Sequence, residues 1–595
     1  MTTSPGRLSL FWNEVRRRKV LRSLAIYAGT AFIILEASTL IFPRWGFPDW
    51  TIDLVLWILV VGAVINLIIS WHYDITPDGL KKTQPLKDLS EKEKKPESRS
   101  WKAATYASLV VIVALVLFNV FNPLNTLKAG DIQSLVVLPF DNFTGDDQLD
   151  YVAAGMHSSL IGDMGRISGL RIISKTTASI YKHMELSLPE IATQLNADAV
   201  VEPLVTCYGD SVCIQIRVIT PFPEEKQLWI GEYREEKSQI LNLYNKVSKQ
   251  IADEIRVTLT PQEEEALAEL RSVNSDAYDA YMKGQYYWDQ LTPEALQTAL
   301  QYFNKAIEID PDWAPPYAGI ALFWIGVRQM GLAPSSITVP NIYKYLNKTI
   351  ELDPSSALTH YTTAAAAVWT GYDWEKGERE FLKVIELTPN DASNRAYYAH
   401  LLMFLKRQEE ALNQAQIALD LDPLNPLIQG LVAVVHWHYG NYGKSKELAR
   451  QITQLVPNHP LAIGVLWGSN DMEGNFEEAI SYCLKLFMLD EVQSAMVMDT
   501  FSKEGYPAAL GKVITILESM PDEEVPVSMG IRIADMYLET GHIDKALDIL
   551  EDLLEKQGPD LPYVTTGIEH FKELESEPRF LAMLEKMGLP PPLPR

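Results

Sequence analysis

Few side chains in this 595-residue sequence are spaced in a way that predicts chemistry. One cluster combines four aspartates with an asparagine, at Asp141, Asn142, Asp146, Asp147 and Asp150. Carboxylate and amide oxygens suit a divalent cation, but the spacing does not match the D-x-[DN]-x-[DN]-G pattern of a calcium loop. Because Asp, Asn and Gly also favour turns and helix caps, the cluster predicts a solvated turn that leads into a helix.

A second group of candidate ligands is His436, Trp437 and His438. Consecutive residues of an α-helix point about 100° apart, so the side chains of these three residues do not converge on one ion. No acidic residue or cysteine accompanies them at the spacing of metal ligands. We therefore expect no metal site here.

The sequence contains three cysteines, too few for a four-cysteine zinc site or a disulfide-rich scaffold. Cys207 and Cys213 flank Gly209-Asp210, a pair that favours a β-hairpin turn. A two-residue turn places Cys207 opposite Val212, with Cys213 pointing to the other face of the sheet. A three-residue loop would instead allow a disulfide, and the sequence leaves both alternatives open.

Catalytic motifs are missing from the sequence. It contains no phosphate-binding P-loop, no G-x-S-x-G nucleophile elbow, no H-E-x-x-H zinc motif and no set of kinase motifs. We therefore predict that the protein is not an enzyme and uses no cofactor and no metal.

Charge is distributed unevenly along the chain, whose formal net charge is −25. Residues 1–128 contain 16 basic and 10 acidic residues, a net charge of +6, which leaves −31 on residues 129–595. A protein that coats nucleic acid needs a basic surface. The composition therefore predicts no nucleic-acid partner.

Three apolar runs, at 23–42, 51–73 and 103–122, predict membrane-spanning helices. Each is about 20 residues long, which matches the length that a helix needs to cross a bilayer. The first two predict a two-helix membrane hairpin over 23–73, and the third a separate transmembrane helix. Glu36 lies within the first run, where an ionisable residue is either functional or located near the outer interface, protonated or paired.

Lysine and arginine are concentrated in the N-terminal segment, 1–22, and in the linker, 74–102. By the positive-inside rule both segments are expected in the cytoplasm, which places residues 123–595 on the opposite side. The linker is rich in Lys, Glu, Ser and Pro, a composition that predicts a flexible tether.

Short apolar strands alternate with amphipathic helices over 130–262, which predicts a small α/β domain. The stretches LVVLPFDNFTGDDQLDYVAAGMHSSLI, LRIISKTTASIYK and IATQLNADAVVEPLVTCYGDSVCIQIRVI resemble the TolB amino-terminal and FlgO-like domains. Ala154 and Pro203 depart from that pattern, at positions where an acid and a glycine are common. The resemblance implies a bacterial sensing or scaffolding module outside the cytoplasm. It therefore places the anchor among the lipids of the inner membrane and residues 123–595 in the periplasm.

Prolines recur after amphipathic runs along the C-terminal half, at Pro311, Pro354, Pro389, Pro423 and Pro457. The last four follow one another at intervals of 35, 34 and 34 residues, and small residues stand twelve positions before several of them. This pattern resembles the tetratricopeptide (TPR) repeat family. It predicts an α-solenoid of seven or eight helix pairs over 274–590.

The same resemblance implies a binding groove. In peptide-binding members of the family, positions 9 and 12 of a repeat face the concave side. This implies partner-binding roles for Trp288, Trp369, His400 and Trp437. The alternative is that these side chains pack between neighbouring helices and fill the superhelix.

The sequence thus predicts a mainly α protein with three transmembrane helices, a small α/β domain and a C-terminal TPR solenoid. We expect a membrane-anchored scaffold whose exported superhelix docks a protein or peptide partner. The alternative is a non-catalytic transmembrane sensor that signals through a cytoplasmic partner. The oligomeric state stays open.

Overall fold

The structure is a computed structural model of the 595-residue chain. It describes scattered positions between residues 20 and 38, followed by 50–76, 79–82 and 132–591, with short gaps inside the last range. The gaps are 147–148, 185, 223–224, 269–272, 289, 291, 521–528 and 566–568. The chain divides into two units, 1–126 and 127–595, which are described separately.

Among its described residues, the first unit contains helix α1 (Trp50–His72), an antiparallel hairpin of β1 (Tyr73–Thr76) and β2 (Gly79–Lys82), and scattered helical positions between residues 20 and 38. The hairpin lies within the predicted tether, where a Pro-Asp pair in the sequence favours a turn. Linker residues 83–102 lie outside the described residues.

The predicted fold class, with three transmembrane helices, is wrong for the part of the chain that the structure describes. Crossing a bilayer needs about 20 consecutive apolar residues in one helix. No helix among the described residues is both long and apolar enough to meet this requirement. The predicted run 23–42 lies largely outside the described residues, and 103–122 and Glu36 lie wholly outside them.

The second unit begins with an α/β domain. Its elements are β3 (Ser134–Val137), β4 (Asp141–Asn142), α2 (Asp150–Met164), β5 (Arg171–Ile172), α3 (Lys175–Ile180), α4 (Leu188–Leu195), β6 (Ala199–Tyr208), β7 (Ser211–Thr220), β8 (Lys226–Glu236), α5 (Ile240–Glu254) and α6 (Pro261–Ala268).

The sheet has the strand order β5-β3-β6-β7-β8, with β4 also paired to β6. Strands β3, β5 and β6 are parallel, and β6, β7 and β8 form an antiparallel meander. Successive residues of a strand point to opposite faces of the sheet, and a layer of helices covers each face. Leu135 packs with α2 and α5, whereas Val136 packs with α3 and α4.

The β6–β7 hairpin resolves the two alternatives for the cysteines. Most of the hairpin follows the register of a two-residue turn, but a bulge after Val205 shifts the pairing by one residue. Cys207 therefore lies opposite Cys213, and the loop contains three residues, 209–211. The two cysteines form a disulfide, and Cys483 is a buried free thiol.

Eight antiparallel helix pairs follow among the described residues over 275–555, in agreement with the predicted seven or eight pairs but ending before residue 590. In a stacked helical repeat the first helices line the inside of the array. The seventh pair departs from this arrangement, because its first helix buries only Val497 whereas its second helix packs against both neighbouring pairs. The pairs are α7 (Ser275–Trp288) and α8 (Pro293–Ile309), α9 (Ala314–Gln329) and α10 (Ser335–Leu352), α11 (Ala357–Ala366) and α12 (Trp374–Leu387), α13 (Ala392–Phe404) and α14 (Gln408–Leu421), α15 (Pro426–His438) and α16 (Tyr442–Leu455), α17 (Pro460–Met472) and α18 (Phe476–Leu486), α19 (Glu491–Glu504) and α20 (Tyr506–Glu518), and α21 (Gly530–Glu539) and α22 (Ile543–Glu555).

The small residues that define the repeat are buried where the two helices of a pair touch. Ala411 and Ala479 are fully buried, and the Ser445 hydroxyl donates to the Ala433 carbonyl oxygen at 2.7 Å. In the third pair Gly377 takes this position, because a Cβ there would lie 2.4 Å from the Val368 side chain.

After the array, two short 3₁₀ segments, Leu561–Thr565 and Glu569–Ser576, and helix α23 (Pro578–Met587) turn back along the inner side. We call residues 556–591 the C-terminal segment. Its buried side chains belong to the same hydrophobic core as the array, which includes Leu561, Val564 and Phe580.

The α/β domain is fixed to the array through two repeat turns. The Asn390 amide donates to the carbonyl oxygens of Ile167 and Leu170 at 3.0 and 2.9 Å, and the Thr177 hydroxyl donates to the Asp422 carboxylate at 2.6 Å. The array is therefore held in a defined orientation on the α/β domain within the second unit.

Candidate functional site

The candidate site is the inner face of the array, which is the surface formed by the first helices of the repeat pairs. Side chains from the first helices of the second to sixth and the eighth pairs converge there with the C-terminal segment. They are mostly aromatic or basic, and few of them are exposed. Three of the four partner-binding residues predicted from the sequence lie in this region.

Trp369 lies just beyond α11, where the helix widens into a π-helical turn over Ala367–Gly371. Its side chain is 3% exposed and meets the rings of Phe381, Tyr397 and Phe404 edge-on. Its indole N–H also hydrogen-bonds the hydroxyl of Tyr563 in the C-terminal segment. Trp369 thus lines the inner face, but it is covered by the chain itself.

His400 on α13 forms a directional contact with the same tyrosine. Its Nε2 lies 3.0 Å from the Leu431 carbonyl oxygen, which can only accept, so Nε2 carries the proton. Nδ1 therefore accepts a hydrogen bond from the Tyr563 hydroxyl at 2.7 Å. Burial lowers the pKa of His400 to about 4, so the imidazole is neutral at physiological pH.

Trp437 on α15 forms a cationic cluster with the eighth repeat. The Arg532 guanidinium lies 4.7 Å from the centre of the Trp437 ring and 5.5 Å from that of Trp467, the distances of a cation–π contact. Gly468 leaves the space for Trp437, because a Cβ there would lie 2.4 Å from the ring.

Trp288 is not brought together with the other three. It is half-buried between the first and second pairs, where its ring centre lies 6.2 Å from that of Phe323. Its position agrees with the packing alternative, whereas Trp369, His400 and Trp437 share one region. The partner-binding roles of all four stay a prediction.

Sequence reasoning missed two residues of the inner face, Phe404 and Arg532, and two residues of the C-terminal segment that meet it, Asp560 and Tyr563. Asp560 belongs to the C-terminal segment, and burial raises its pKa to about 6 although Arg328 and Arg532 act in the opposite direction. Phe404 ends α13 with its ring 4.8 Å from that of Tyr563. No repeat period marks the segment, so only its aromatic residues, in a stretch rich in proline and glycine, could have indicated it.

The candidate metal ligands are dispersed. Among the described residues no group of three or more His, Cys, Asp or Glu side chains is arranged to hold a metal ion. His438 stacks on the Tyr563 ring, whereas His436 contacts the Asn441 amide on another side of α15. In the acidic cluster, the Asn142 amide donates to the Asp146 carbonyl oxygen at 2.9 Å, which closes the predicted turn, and Asp147 lies outside the described residues.

The arrangement is suited to binding. Neutral imidazoles, aromatic faces and indole or guanidinium N–H groups can hold an aromatic hydroxyl and backbone carbonyl oxygens.

Comparisons with known proteins give partial matches, and no family model matches the chain. A protein of Rhizobium meliloti named "Putative adenylate cyclase 3" is 27% identical over 239 residues, which are 40% of this chain and 40% of that protein. The transcriptional regulator HilA of Salmonella typhimurium is 26% identical over 157 residues, 26% of this chain and 28% of HilA. The chain thus spans less than half of the length of either relative.

Solved structures also match in part. A monomeric mutant of IFIT1 with Gppp-AAAA covers 58% of this chain and 77% of its own, with 15% identity and a TM-score of 0.37. YrrB, a TPR protein with an unusual peptide-binding site, covers 33% of this chain and 97% of its own, with 19% identity and a TM-score of 0.23.

Proposed function

We propose that this protein is a non-catalytic interaction scaffold that docks a protein or peptide segment on the inner face of its repeat array. The proposal rests on the chemical groups of the array that meet the C-terminal segment. First helices present aromatic rings and neutral histidines towards a stretch of polypeptide, where His400 binds the Tyr563 hydroxyl. Tyr372 and Trp374, in the turn and at the start of the helix that follow, donate to carbonyl oxygens of the same stretch. A surface that binds one stretch of backbone in this way has the groups needed to bind another.

Electrostatics favour the same class of partner. Residues 129–595 carry a net charge of −31, which repels a nucleic-acid backbone. At the inner face itself, Arg328 and Arg532 are buried beside Asp560, so positive charge is not displayed to a polyanion. A polypeptide is therefore the proposed partner, and nucleic acid is not.

The relatives support a module without a fixed chemistry. A cyclase and a transcriptional regulator differ in activity, yet each shares a minority of its length with this chain. Such sharing is expected for a part that binds or positions, since activity is carried by sites and not by a fold.

The roles proposed for the predicted residues are unequal. His400 and Trp369 already bind a tyrosine hydroxyl, and Trp437 presents its ring to Arg532, so these three would form the anchor region. Buried aromatic and arginine side chains of this kind commonly dominate the binding energy of an interface. Trp288 lies apart, between the first two repeats, and would contribute only at the edge.

A matched pair of histidines on one helix tests the proposal. Peptides are selected from a random library against the full chain, and their affinities are then measured with His438→Ala, on the inner face, and His436→Ala, on the other side of α15. We expect at least a tenfold loss for His438→Ala and no change for His436→Ala. Equal affinities for both variants would contradict the inner-face assignment.

A second candidate function is suggested by the two named relatives. The chain could serve as the sensing part of a signalling system, in which a separate partner carries the cyclase or regulatory activity. Expression in a cyclase-deficient bacterium separates this idea from catalysis. We expect no cyclic AMP from the full chain alone, and its production would overturn the non-catalytic proposal.

We also propose that the α/β domain resides in an oxidising compartment such as the periplasm. The Cys207–Cys213 disulfide supports this location, because stable disulfides are rare in a reducing cytosol. Alkylation of thiols in intact cells, followed by a gel-shift assay, checks it. We expect one reactive thiol per chain under denaturing conditions, from Cys483, whereas three would argue for a reducing compartment.

A further inference from the structure

Hydrogen bonds from the array to the C-terminal segment are accepted mainly by backbone carbonyl oxygens of the segment, while its buried side chains pack in the core of the array. The Tyr372 hydroxyl donates to the Gly558 carbonyl oxygen at 2.6 Å, and the Trp374 indole N–H donates to that of Met587 at 2.7 Å. The Ser335 hydroxyl donates to the Lys556 carbonyl oxygen at 2.6 Å, and the Lys406 ammonium to that of Pro591 at 3.0 Å. Carbonyl oxygens carry no side-chain identity, so a different polypeptide could accept the same bonds.

One side chain gives these contacts their specificity. Tyr563 enters a pocket formed by His400, Phe404, Trp369 and His438, and its hydroxyl is bound by the first and third of these. Burial raises the pKa of the Tyr563 hydroxyl, which therefore stays protonated and donates to the neutral His400 imidazole. The pocket thus recognises an aromatic ring that carries a hydroxyl group.

At two repeat turns, a residue whose side chain contacts the C-terminal segment stands where the following repeats have glycine. Tyr372, Lys406, Gly440 and Gly474 follow one another at intervals of 34 residues, and all have positive φ, at 52°, 60°, 74° and 76°. Glycine is the residue that adopts this conformation without strain. At the two positions where glycine is absent, the side chains donate to the C-terminal segment.

The positive φ angles of Tyr372 and Lys406, and their bonds to the C-terminal segment, are observations independent of the tyrosine pocket. A strained residue persists when the surrounding structure favours it, and such residues occur often at ligand-binding positions. Here the third and fourth repeats carry the strain, and these two repeats also hold Trp369 and His400. The same part of the array therefore provides both the side-chain pocket and the backbone contacts.

We propose that the C-terminal segment is an internal ligand of the array, and that the partner presents a tyrosine-containing segment that replaces it. The proposal rests on the scaffold function proposed above and specifies its partner chemistry. The partner segment is an extended or turn-rich stretch whose tyrosine hydroxyl reaches His400. Access to the inner face is then controlled by how readily residues 556–591 leave it.

Competition with a synthetic copy of the segment tests the proposal. The probe is a fluorescently labelled peptide, KQGPDLPYVTTGIEH, which corresponds to residues 556–570. It is titrated with the full chain as wild type, Tyr563→Ala and Tyr563→Phe, and with Tyr286→Ala, a surface tyrosine of α7 that serves as the control. We expect at least tenfold tighter binding to Tyr563→Ala than to the wild type, an intermediate value for Tyr563→Phe and no change for the control.

Two outcomes would overturn the proposal: equal affinity for the wild type and both Tyr563 variants, or no binding to any of them. Tyr563→Phe keeps the ring and the packing, so it provides a test even if Tyr563→Ala does not fold. A peptide in which phenylalanine replaces the tyrosine is expected to bind at least fivefold more weakly to Tyr563→Ala, and equal binding would refute recognition of the hydroxyl.

The outcome also distinguishes this inference from the scaffold proposal. If library-selected peptides depend on His438 but the segment peptide does not compete, the scaffold stands and the internal ligand is refuted. If the affinity of the selected peptides does not depend on His438, the inner face is not the docking site.

A second copy of this chain could also provide the segment that replaces residues 556–591. Light scattering during chromatography tests this alternative. A dimer that dissociates when the peptide is added would assign the displacing segment to a second copy.

Discussion

At the residue scale, single polar side chains join parts of the chain that lie far apart in sequence. Asn390, in a repeat turn, satisfies carbonyl oxygens at the end of α2 and in the loop before β5, and its own oxygen accepts from the Ile172 amide at 3.3 Å. An amide group can fill this role because it provides both donors and an acceptor. Aspartate at this position would repel the same carbonyl oxygens.

Asn390→Ala is therefore expected to weaken the attachment of the α/β domain to the array. The substitution leaves partly buried carbonyl oxygens without a donor, which typically costs about 2 kcal/mol. Thermal unfolding followed by circular dichroism measures the loss, and Asn341→Ala provides the control because the Asn341 amide donates within its own helix, to the Ile337 carbonyl oxygen. If both variants unfold like the wild type, the Asn390 contacts do not hold the two parts together.

His157 gives the stability of the α/β domain a pH dependence. Its side chain is 1% exposed, its Nε2 lies 2.7 Å from the Val137 carbonyl oxygen, and burial lowers its pKa to about 4. The unfolded chain binds a proton near the ordinary histidine pKa of about 6.5, before the folded chain does. The contribution of this site is therefore fully present above pH 6.5 and is lost as the pH falls towards 4.

Between pH 7 and pH 5, this single site is expected to remove about 2 kcal/mol from the free energy of unfolding. His157→Gln keeps a donor for Val137 and cannot titrate, so its loss over the same interval should be smaller by about that amount. Urea unfolding of both proteins at the two pH values provides the measurement. Parallel losses in the two proteins would show that His157 is not the titrating group.

At the element scale, the turns of the array show how a repeat is built. Gly474 ends the first helix of its pair with φ of 76°, and a Cβ there would meet no atom within 4 Å. Its requirement for glycine is thus conformational and not a matter of space. Gly443, inside α16, is equally open but has no such backbone conformation.

This contrast predicts opposite effects of the same substitution. Gly474→Ala should destabilise the array by about 1 kcal/mol, because an L-residue is strained at positive φ. Gly443→Ala should stabilise it by about 0.5 kcal/mol or more, since alanine loses less conformational entropy in a helix. Chemical denaturation of the two variants beside the wild type checks both signs, and equal shifts would refute the conformational explanation.

The sequence predicted the repeat array, whose residues recur at a fixed period. It did not predict contacts that follow no period. The 34-residue period and the small residues twelve positions before the prolines indicated the repeat array, because each unit packs its two helices in the same way. The disulfide depended on a bulge after Val205, which no local turn signal announces. A groove lined by Trp288, Trp369, His400 and Trp437 was predicted, beside the alternative that these side chains pack between helices. What covers the inner face comes instead from an aperiodic tail, whose tyrosine meets His400, 163 positions earlier.

The membrane prediction failed for a different reason. Apolar runs of about 20 residues predict transmembrane helices from composition and length alone. No helix among the described residues satisfies those conditions, and most of 23–42 and all of 103–122 lie outside those residues.

At the scale of the whole second unit, the array closes on itself. Arg328, at the end of α9, is 4% exposed and donates both to the Ser335 hydroxyl at 2.6 Å and to the Gln557 carbonyl oxygen. Ser335 in turn donates to the Lys556 carbonyl oxygen. The second repeat is thereby tied to the end of the eighth, more than 200 residues later in the chain.

Arg328→Ala is expected to loosen this closure without unfolding the repeats, because neighbouring pairs keep their own interfaces. Removing the guanidinium leaves the Gln557 carbonyl oxygen without its donor, so the end of α22 and the C-terminal segment should separate from α9 and α10. Hydrogen–deuterium exchange should rise at least tenfold over residues 553–565 and stay unchanged in α15 and α17. Arg450→Ala, on the exposed side of α16, serves as the control. Faster exchange throughout the array would instead mean that Arg328 supports folding in general. Unchanged exchange at 553–565 would mean that packing alone, through Leu553, Leu561 and Val564, holds the two ends of the array together.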